Sequence, residues 1–327
     1  MLRKFGVLAG LAIVLSACQP TPTFLNPASP ISGHESNLYR IILIMAFVVF
    51  VLVEGALTLI LLRDRKKPND EQPPRQVYGN TRLEIIWTAI PILLVISLFV
   101  MTVQTVNAVA APPHSKSDLN VRVVGHQWWW EFDYTDQGFA TANELHIPVG
   151  ATVQISLDSV DVIHSFWVPQ LSGKTDVIPG QHNTMWLKGD QVGVYLGQCA
   201  EFCGTEHALM RFKVYVDSQA DFNAWVANQQ KSAYQPQTAD EQAGYTIVTT
   251  KCVACHSIDP SKMETVGPNL AHLFSRTTFA GSSFDLNEAN LRSWLKDPQA
   301  MKPGNDMVVN LTPQEIDQVV SYLTHLK

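Results

Sequence analysis

Three kinds of hydrophobic patterning follow one another along the chain. Two long apolar stretches come first, Ile41 to Leu62, interrupted only by Glu54, and Ile85 to Val106. At about 1.5 Å rise per residue, each stretch of about 22 residues crosses a hydrocarbon core of about 30 Å, so both are predicted as transmembrane helices. The connection carries Arg63, Arg65, Lys66, Lys67, Arg75 and Arg82. Such positive residues stay on the cytoplasmic side, so everything after Val106 is expected outside. From Leu119 to Val216 the apolar runs become short: Val121 to Val124, Glu144 to Ile147, Thr152 to Leu157, Thr184 to Leu187, Val192 to Leu196 and Arg211 to Val216. Gly150, Pro169, Pro179-Gly180 and Gly189-Asp190 separate them. Short strands punctuated in this way predict an all-β sandwich or barrel. From Asp240 onward the pattern is helical.

Local signals sharpen the boundaries. Ser218, three residues before Asp221, is a helix cap, and Phe222, Trp225 and Val226 form the apolar stripe behind it. Residues 232–238, with Pro236, form a linker. Thr312-Pro313-Gln314-Glu315 opens the last helix with a cap, a first-turn proline and a glutamate three residues on, and Ile316, Val319, Val320 and Leu323 supply its buried face. At the other end, Arg3 and Lys4 precede an apolar run from Phe5 to Leu15, the layout of an export signal. Leu15-Ser16-Ala17-Cys18 has the form of a lipobox, with cleavage before a Cys18 that then carries lipid; a cysteine placed by accident after small residues is the alternative.

Charge inside the apolar stretches is costly, so Glu54 is expected to face another protein helix or a proton path. Glu84 lies at the cytoplasmic mouth of the second helix, where a boundary carboxylate that snorkels to water is the simpler reading. Pro91 is expected to kink that helix. The formal charge of −6 argues against nucleic acid as partner, since phosphate binding needs a basic surface. Between Asp118 and Lys231 about thirteen acids face six bases, a skew suited to a basic electron donor or merely to solvation.

The densest chemistry is Cys199-Ala200-Glu201-Phe202-Cys203-Gly204-Thr205-Glu206-His207-Ala208-Leu209-Met210, with His164 upstream at a strand-to-loop transition. Sulfur ligands suit copper, and imidazole suits copper or zinc. Two thiolates, two imidazoles and a thioether exceed what one tetrahedral zinc uses, whereas two coppers bridged by both sulfurs use them all, with a backbone carbonyl near Glu201 completing the shell. An exported protein could instead close Cys199 and Cys203 into a disulfide. Further along, Cys252-Val253-Ala254-Cys255-His256 is a c-type haem attachment signature, with a redox dithiol as the alternative. Met301 and Met307 both qualify as the second axial ligand, and His/Met ligation raises the iron potential as an electron carrier requires. With one cysteine for lipid, two for copper and two for haem, all five are assigned.

Upstream, Gly125-His126-Gln127-Trp128-Trp129-Trp130-Glu131 would, as part of a strand, set Trp128 and Trp130 on one side and Trp129 on the other. Val124-Gly125-His126-Gln127-Trp128, His164-Ser165-Phe166-Trp167-Val168-Pro169, Lys174-Thr175-Asp176 with Pro179-Gly180, and Gly197-Gln198-Cys199 through Met210 together resemble cytochrome c oxidase subunit II over nearly all of residues 38 to 231. Gly267-Pro268-Asn269-Leu270, Leu291 to Pro298 and Lys302-Pro303-Gly304-Asn305-Asp306-Met307 resemble class I cytochrome c, which favours Met307 as the iron ligand and leaves Met301 as a loop or interior residue.

The resemblance implies a multi-domain chain: a lipoprotein-type signal peptide over 1–17, an N-terminal segment and two-helix transmembrane hairpin over 18–110, an all-β cupredoxin-like domain over 111–231, a linker over 232–239 and an all-α cytochrome c domain over 240–327. It implies a dinuclear copper centre held by His164, Cys199, Cys203, His207 and Met210 with the Glu201 carbonyl, the Glu201 carboxylate meeting a magnesium shared with subunit I. It further implies covalent haem c on Cys252, Cys255, His256 and Met307, electrons entering through Trp128, and Glu84 near the mouth of a proton path in the partner subunit. The expected partners are subunits I and III, a cytochrome c or other donor, and the bacterial inner membrane. The expected function is electron transfer from haem through copper to the oxygen-reducing haem groups of subunit I. The electron-input subunit of a nitric oxide reductase and a copper-delivery lipoprotein are the rivals; a quinol-oxidising relative is not expected to keep the copper ligands.

Overall fold

The computed structural model describes residues 22–64, 76, 78–110, 112 and 117–327. The export signal, Cys18 and most of the basic connection, including Arg65, Lys66, Lys67 and Arg75, lie outside the described residues. The described residues between 33 and 112 form one compact unit, and those up to Ser32 together with those from 117 onward form another.

The first unit is helical. Helix α1 spans Pro30–Arg63 and α2 spans Thr81–Ala110, both longer than the apolar stretches that predict them. The extra turns are polar or interfacial: α2 begins where the Asn80 side chain accepts from the amides of Arg82 and Leu83, and Glu84 in its first turn complements the positive end of the helix. Pro91 lies inside α2. Apolar side chains such as Phe47, Leu52, Ile60, Leu93 and Phe99 are exposed all round both helices, the pattern of segments whose solvent is lipid.

The second unit begins with a β-sandwich. Its strands are β1 (Leu119–His126), β2 (Trp129–Tyr134), β3 (Phe139–Ala142), β4 (Glu144–Pro148), β5 (Val153–Ser159), β6 (His164–Trp167), β7 (Thr175–Val177), β8 (Asn183–Leu187), β9 (Gly193–Cys199) and β10 (Arg211–Asp217). One sheet runs β3-β2-β1-β5-β8 and the other β4-β10-β9-β6-β7. Val121, Val123, Ile155, Leu157, Phe212 and Val214 alternate inward along their strands, which is why the period-two pattern reads correctly. The interior is an aromatic stack: Phe166 lies on Phe212 with centroids 4.5 Å apart, and Trp130 meets both edge-on at 5.5 and 5.6 Å. Helix α3 (Gln219–Gln229) starts at Ser218, whose hydroxyl accepts from the Asp221 amide, and closes one end with Phe222, Trp225 and Val226.

Two expectations need correction. The strands β2, β3, β6 and β7 are additional to the six predicted, and the tryptophan run is no continuous strand. The chain turns at Gln127 and Trp128, and β2 begins only at Trp129. Trp130 therefore fills the core, Trp129 stacks on His126 at 4.1 Å, and Trp128 is left half-buried at the rim.

After α3, residues 232–238 are anchored and do not hang free. Ala233 and Tyr234 pack on the C-terminal core, and Tyr234 donates to Glu241. Helices α4 (Ala239–Ile247), α5 (Glu288–Lys296), α6 (Pro298–Met301) and α7 (Pro313–Leu323) follow, with full capping boxes on α4 and α7. Val248, Leu273, Leu291, Leu295, Ile316, Val319, Val320 and Leu323 make the core between them. A two-stranded hairpin, β11 (Thr278–Phe279) with β12 (Phe284–Asp285), interrupts what the sequence predicts as purely helical.

Phe212 is the keystone of the aromatic stack, so Phe212→Ala is expected to destabilise the sandwich by about 3 to 5 kcal/mol, read from the denaturation midpoint of the purified protein.

Candidate functional site

Strand pairing assembles the first site. Antiparallel β6 and β9 pair with Phe166 opposite Cys199, which brings His164 beside the last residue of β9. The Cys199 amide donates to the Met210 carbonyl at 3.0 Å, closing residues 200–209 into a loop between β9 and β10. The Ala200 amide donates to Ser165, stitching the loop to the histidine strand. Within it the Sγ atoms of Cys199 and Cys203 are 3.7 Å apart. His164 Nδ1 lies 3.9 Å from the first sulfur, His207 Nδ1 3.6 Å from the second, and Met210 Sδ 3.7 Å from the second. The Glu201 carbonyl is 3.2 Å from the Cys199 sulfur, while its side chain is exposed.

Both thiols are free, and a disulfide would need its sulfurs at about 2.05 Å. His164, Cys199, Cys203 and Met210 are buried, and His207 is half-buried at the rim. All five predicted side chains and the predicted carbonyl thus converge on one point.

The electrostatics favour a bound cation. The two sulfurs compete for ionisation: their partnership holds Cys199 below the usual thiol range and, with burial, pushes Cys203 above it. Two sulfurs this close share one proton that a metal would displace. Burial disfavours the charged form of His164, yet its bonds to Asp161 and Cys199 prevail and raise its pKa. Asp161 Oδ1 accepts from His164 Nε2 at 2.8 Å, which leaves Nδ1 aimed at the sulfurs. Sequence reasoning missed Asp161; its place three residues before the histidine was the available signal. Its carboxyl is held below the usual range: burial alone would raise it, but His164 and the amides of Val162 and Gln127 outweigh that. Trp128 touches the same loop, its indole N–H donating to the Cys203 carbonyl at 2.9 Å.

The second site lies beyond α4. The Cys255 and His256 amides both donate to the Cys252 carbonyl, so the two thiols and the imidazole share one turn. His256 Nδ1 is 2.7 Å from the Pro268 carbonyl, which fixes the tautomer and frees Nε2. Burial lowers the pKa of His256 and keeps it neutral, as a ligand must be. A cavity of about 380 Å³ opens there, lined among others by Cys255, His256, Val253 and Val266, and the two valines are 43% and 74% exposed. An apolar edge beside free thiols and a neutral imidazole suits a flat apolar group attached by thioether bonds. Met307 is half-buried; its Sδ accepts from the Trp294 indole at 3.0 Å. Met301 closes α6 and is half-buried. Glu84 stands in the other unit, in the first turn of α2.

Family models place these sites in context. The model described as cytochrome C oxidase subunit II, transmembrane domain, matches residues 19–104, and its periplasmic-domain counterpart matches residues 137–217. A cytochrome c model matches residues 241–327. Cytochrome c oxidase subunit 2 of Alkalihalophilus pseudofirmus is 36% identical over 99% of this chain and 97% of its own length. The chain belongs to the cytochrome c oxidase subunit II family. Its cupredoxin-like sandwich and helical cytochrome c domain follow two apolar helices, and it is a membrane-bound subunit of an oxidoreductase complex. Quinol oxidase subunit 2 of Bacillus spizizenii is 36% identical over 71% of this chain and 74% of its own length. The periplasmic domain of subunit II of cytochrome oxidase from Bradyrhizobium japonicum is 34% identical, with a TM-score of 0.34, over 34% of this chain and 93% of that one.

Because Asp161 orients and polarises His164, Asp161→Asn is expected to weaken copper binding by roughly 10- to 100-fold, measured by competition with a chelator of known affinity.

Proposed function

We propose that this subunit carries electrons from a covalent haem c on its helical domain through a dinuclear copper centre on its sandwich to the haem groups of subunit I, where oxygen is reduced. The observation that carries this reading is the convergence of two thiols, two imidazoles, a thioether and a carbonyl through contacts of at most 3.9 Å where the β9–β10 loop meets the start of β6. His164, Cys199, Cys203, His207, Met210 and the Glu201 carbonyl would hold the coppers. Cys252, Cys255, His256 and Met307 would hold the haem. When bound, each group supplies reversible one-electron chemistry, and the protein's part is to fix donors, exclude water and orient the imidazoles.

Trp128, hydrogen-bonded to the copper loop, is the aromatic through which electrons reach the metal. Glu201's exposed carboxylate would meet the magnesium shared with subunit I, and Glu84 would stand at the mouth of a proton path. The copper and haem domains lie on the periplasmic side, with subunits I and III as partners, cytochrome c or another carrier as donor, and proton translocation as the work of the whole complex. The mixed donor set and the haem-attachment turn also count against a copper-delivery lipoprotein, which needs neither Met210 nor a haem. Oxygen uptake against nitric oxide consumption by the assembled complex separates the oxidase from a nitric oxide reductase.

The purified protein is expected to contain two coppers and one haem per chain, with one unpaired electron shared between both copper nuclei in its paramagnetic spectrum; a copper-free protein overturns the reading. Met307→Ala is expected to lower the haem potential in a redox titration, because the thioether favours ferrous iron, whereas Met301→Ala leaves it unchanged.

A further inference from the structure

The copper-domain loop and the cytochrome domain meet through an interface more specific than a tether requires. Three buried carboxylates of the sandwich, Glu131, Glu144 and Glu206, each 2% exposed, reach partners in the helical domain, Glu131 with one oxygen while its other is held by His126 of the sandwich. Glu144 Oε1 accepts from the amides of Thr277 and Thr278 at 2.9 and 3.0 Å and from both hydroxyls at 2.7 and 3.0 Å. Lys213 and Tyr215 of β10 bond the same Thr277 hydroxyl. Glu131 Oε1 accepts from the Glu264 amide at 2.7 Å. Glu206 forms an ion pair with Lys302 at 3.3 Å, both side chains almost wholly buried. Buried charges matched in this way make an interface of fixed register, since displacement would strand Glu144 and Glu206 and leave Glu131 one donor short.

The closest approaches fall on the ligand loop itself. The turn of the β11–β12 hairpin reaches it at Gly281, whose carbonyl accepts from the Arg211 amide at 3.1 Å, next in sequence to Met210. A Cβ on Gly281, which has φ of +70°, would stand 2.6 Å from the Leu209 carbonyl. Gly304, with φ of +94°, abuts Thr205 so closely that a Cβ would lie 2.7 Å from its methyl group. Lys302 and Gly304 precede Met307, and Thr205 and Glu206 precede His207, so two ligand-bearing loops touch. A second line of contact runs from Met307 Sδ to the Trp294 indole at 3.0 Å and from Trp294 to Phe279 at 5.6 Å. The hairpin backbone then carries it from Phe279 to Gly281 and the Arg211 amide.

We propose that residues 277–283 and 302–304 form a docking device that seats the helical domain on the copper-ligand loop, with Gly281, Lys302 and Gly304 as positioning residues for electron transfer between the two sites. The proposal rests on the haem-to-copper reading above. In the step served, one electron leaves the reduced haem and one is gained by the oxidised copper centre; no bond forms or breaks and no proton moves. Transfer is therefore within one seated molecule, not by collision of a swinging domain.

The test uses Gly281→Val and Lys302→Met in the whole oxidase, with two readouts. Hydrogen exchange follows the Arg211 amide, which donates to the Gly281 carbonyl, and rapid photoreduction of the haem follows its reoxidation by copper. Both variants are expected to raise Arg211 exchange by at least about tenfold. With copper and haem spectra unaltered, both are also expected to slow the transfer by on the order of 10- to 100-fold, since a shift of about 1 Å in a fixed geometry has such effects. Unchanged exchange overturns the docking device, and faster exchange with an unchanged rate overturns the positioning role. Wild-type protein without copper would defeat the haem-to-copper reading instead, while Arg211 exchange would still decide the docking.

Discussion

The antiparallel register between β6 and β9 governs the rest of the protein. With Phe166 opposite Cys199, the imidazole of His164 and the first loop sulfur come to the same end of one sheet. The Cys199 amide then reaches the Met210 carbonyl, so the ten intervening residues have nowhere to go but around the sulfurs. A slip of one residue would turn His164 to the opposite face, because side chains alternate along a strand. The aromatic stack under the loop resists such a slip: Phe166 and Phe212, one on each flanking strand, are pinned face to face. Stability of the sandwich and geometry of the metal site are thus one constraint, not two.

Electrostatics at the site follow from that constraint. Two thiols held 3.7 Å apart in a buried loop cannot both ionise without a cation, and they are too far apart to be bonded. Asp161 settles which imidazole nitrogen faces them. At the second site the Pro268 carbonyl does the same for His256. Each site therefore presents an imidazole whose second nitrogen is already committed, a preorganisation that leaves little to rearrange when an electron arrives or leaves.

The acidic skew of the sandwich takes on a different meaning once the interface is seen. Three of those acids, Glu131, Glu144 and Glu206, are buried and bonded to the chain's own C-terminal domain. What reads as a surface for a basic donor is in part an internal seam. The segment over 232–238 fits the same picture, since Tyr234 is bonded to Glu241 and packed on the helical core.

Much of this was legible in the sequence, for definite reasons. Membrane helices announce themselves because lipid demands a long apolar stretch, and haem attachment because two thiols and a histidine must share one turn. The proposed metal loop is similarly local: five of its six candidate donors lie between Cys199 and Met210, and chemistry restricts what such a set can bind. Interior strands β2 and β6 were less visible, being buried nearly throughout and so lacking alternation. Trp128 was misread as strand because a turn between two aromatic residues leaves no periodic trace. Asp161 left only a local trace, its place three residues before His164, whereas the partners of the buried carboxylates belong wholly to tertiary structure: Glu144 and Thr277 stand 133 positions apart and only the folded chain joins them. Composition and spacing determine which donors exist; register and domain contact decide where they point, because direction is a property of the assembled backbone.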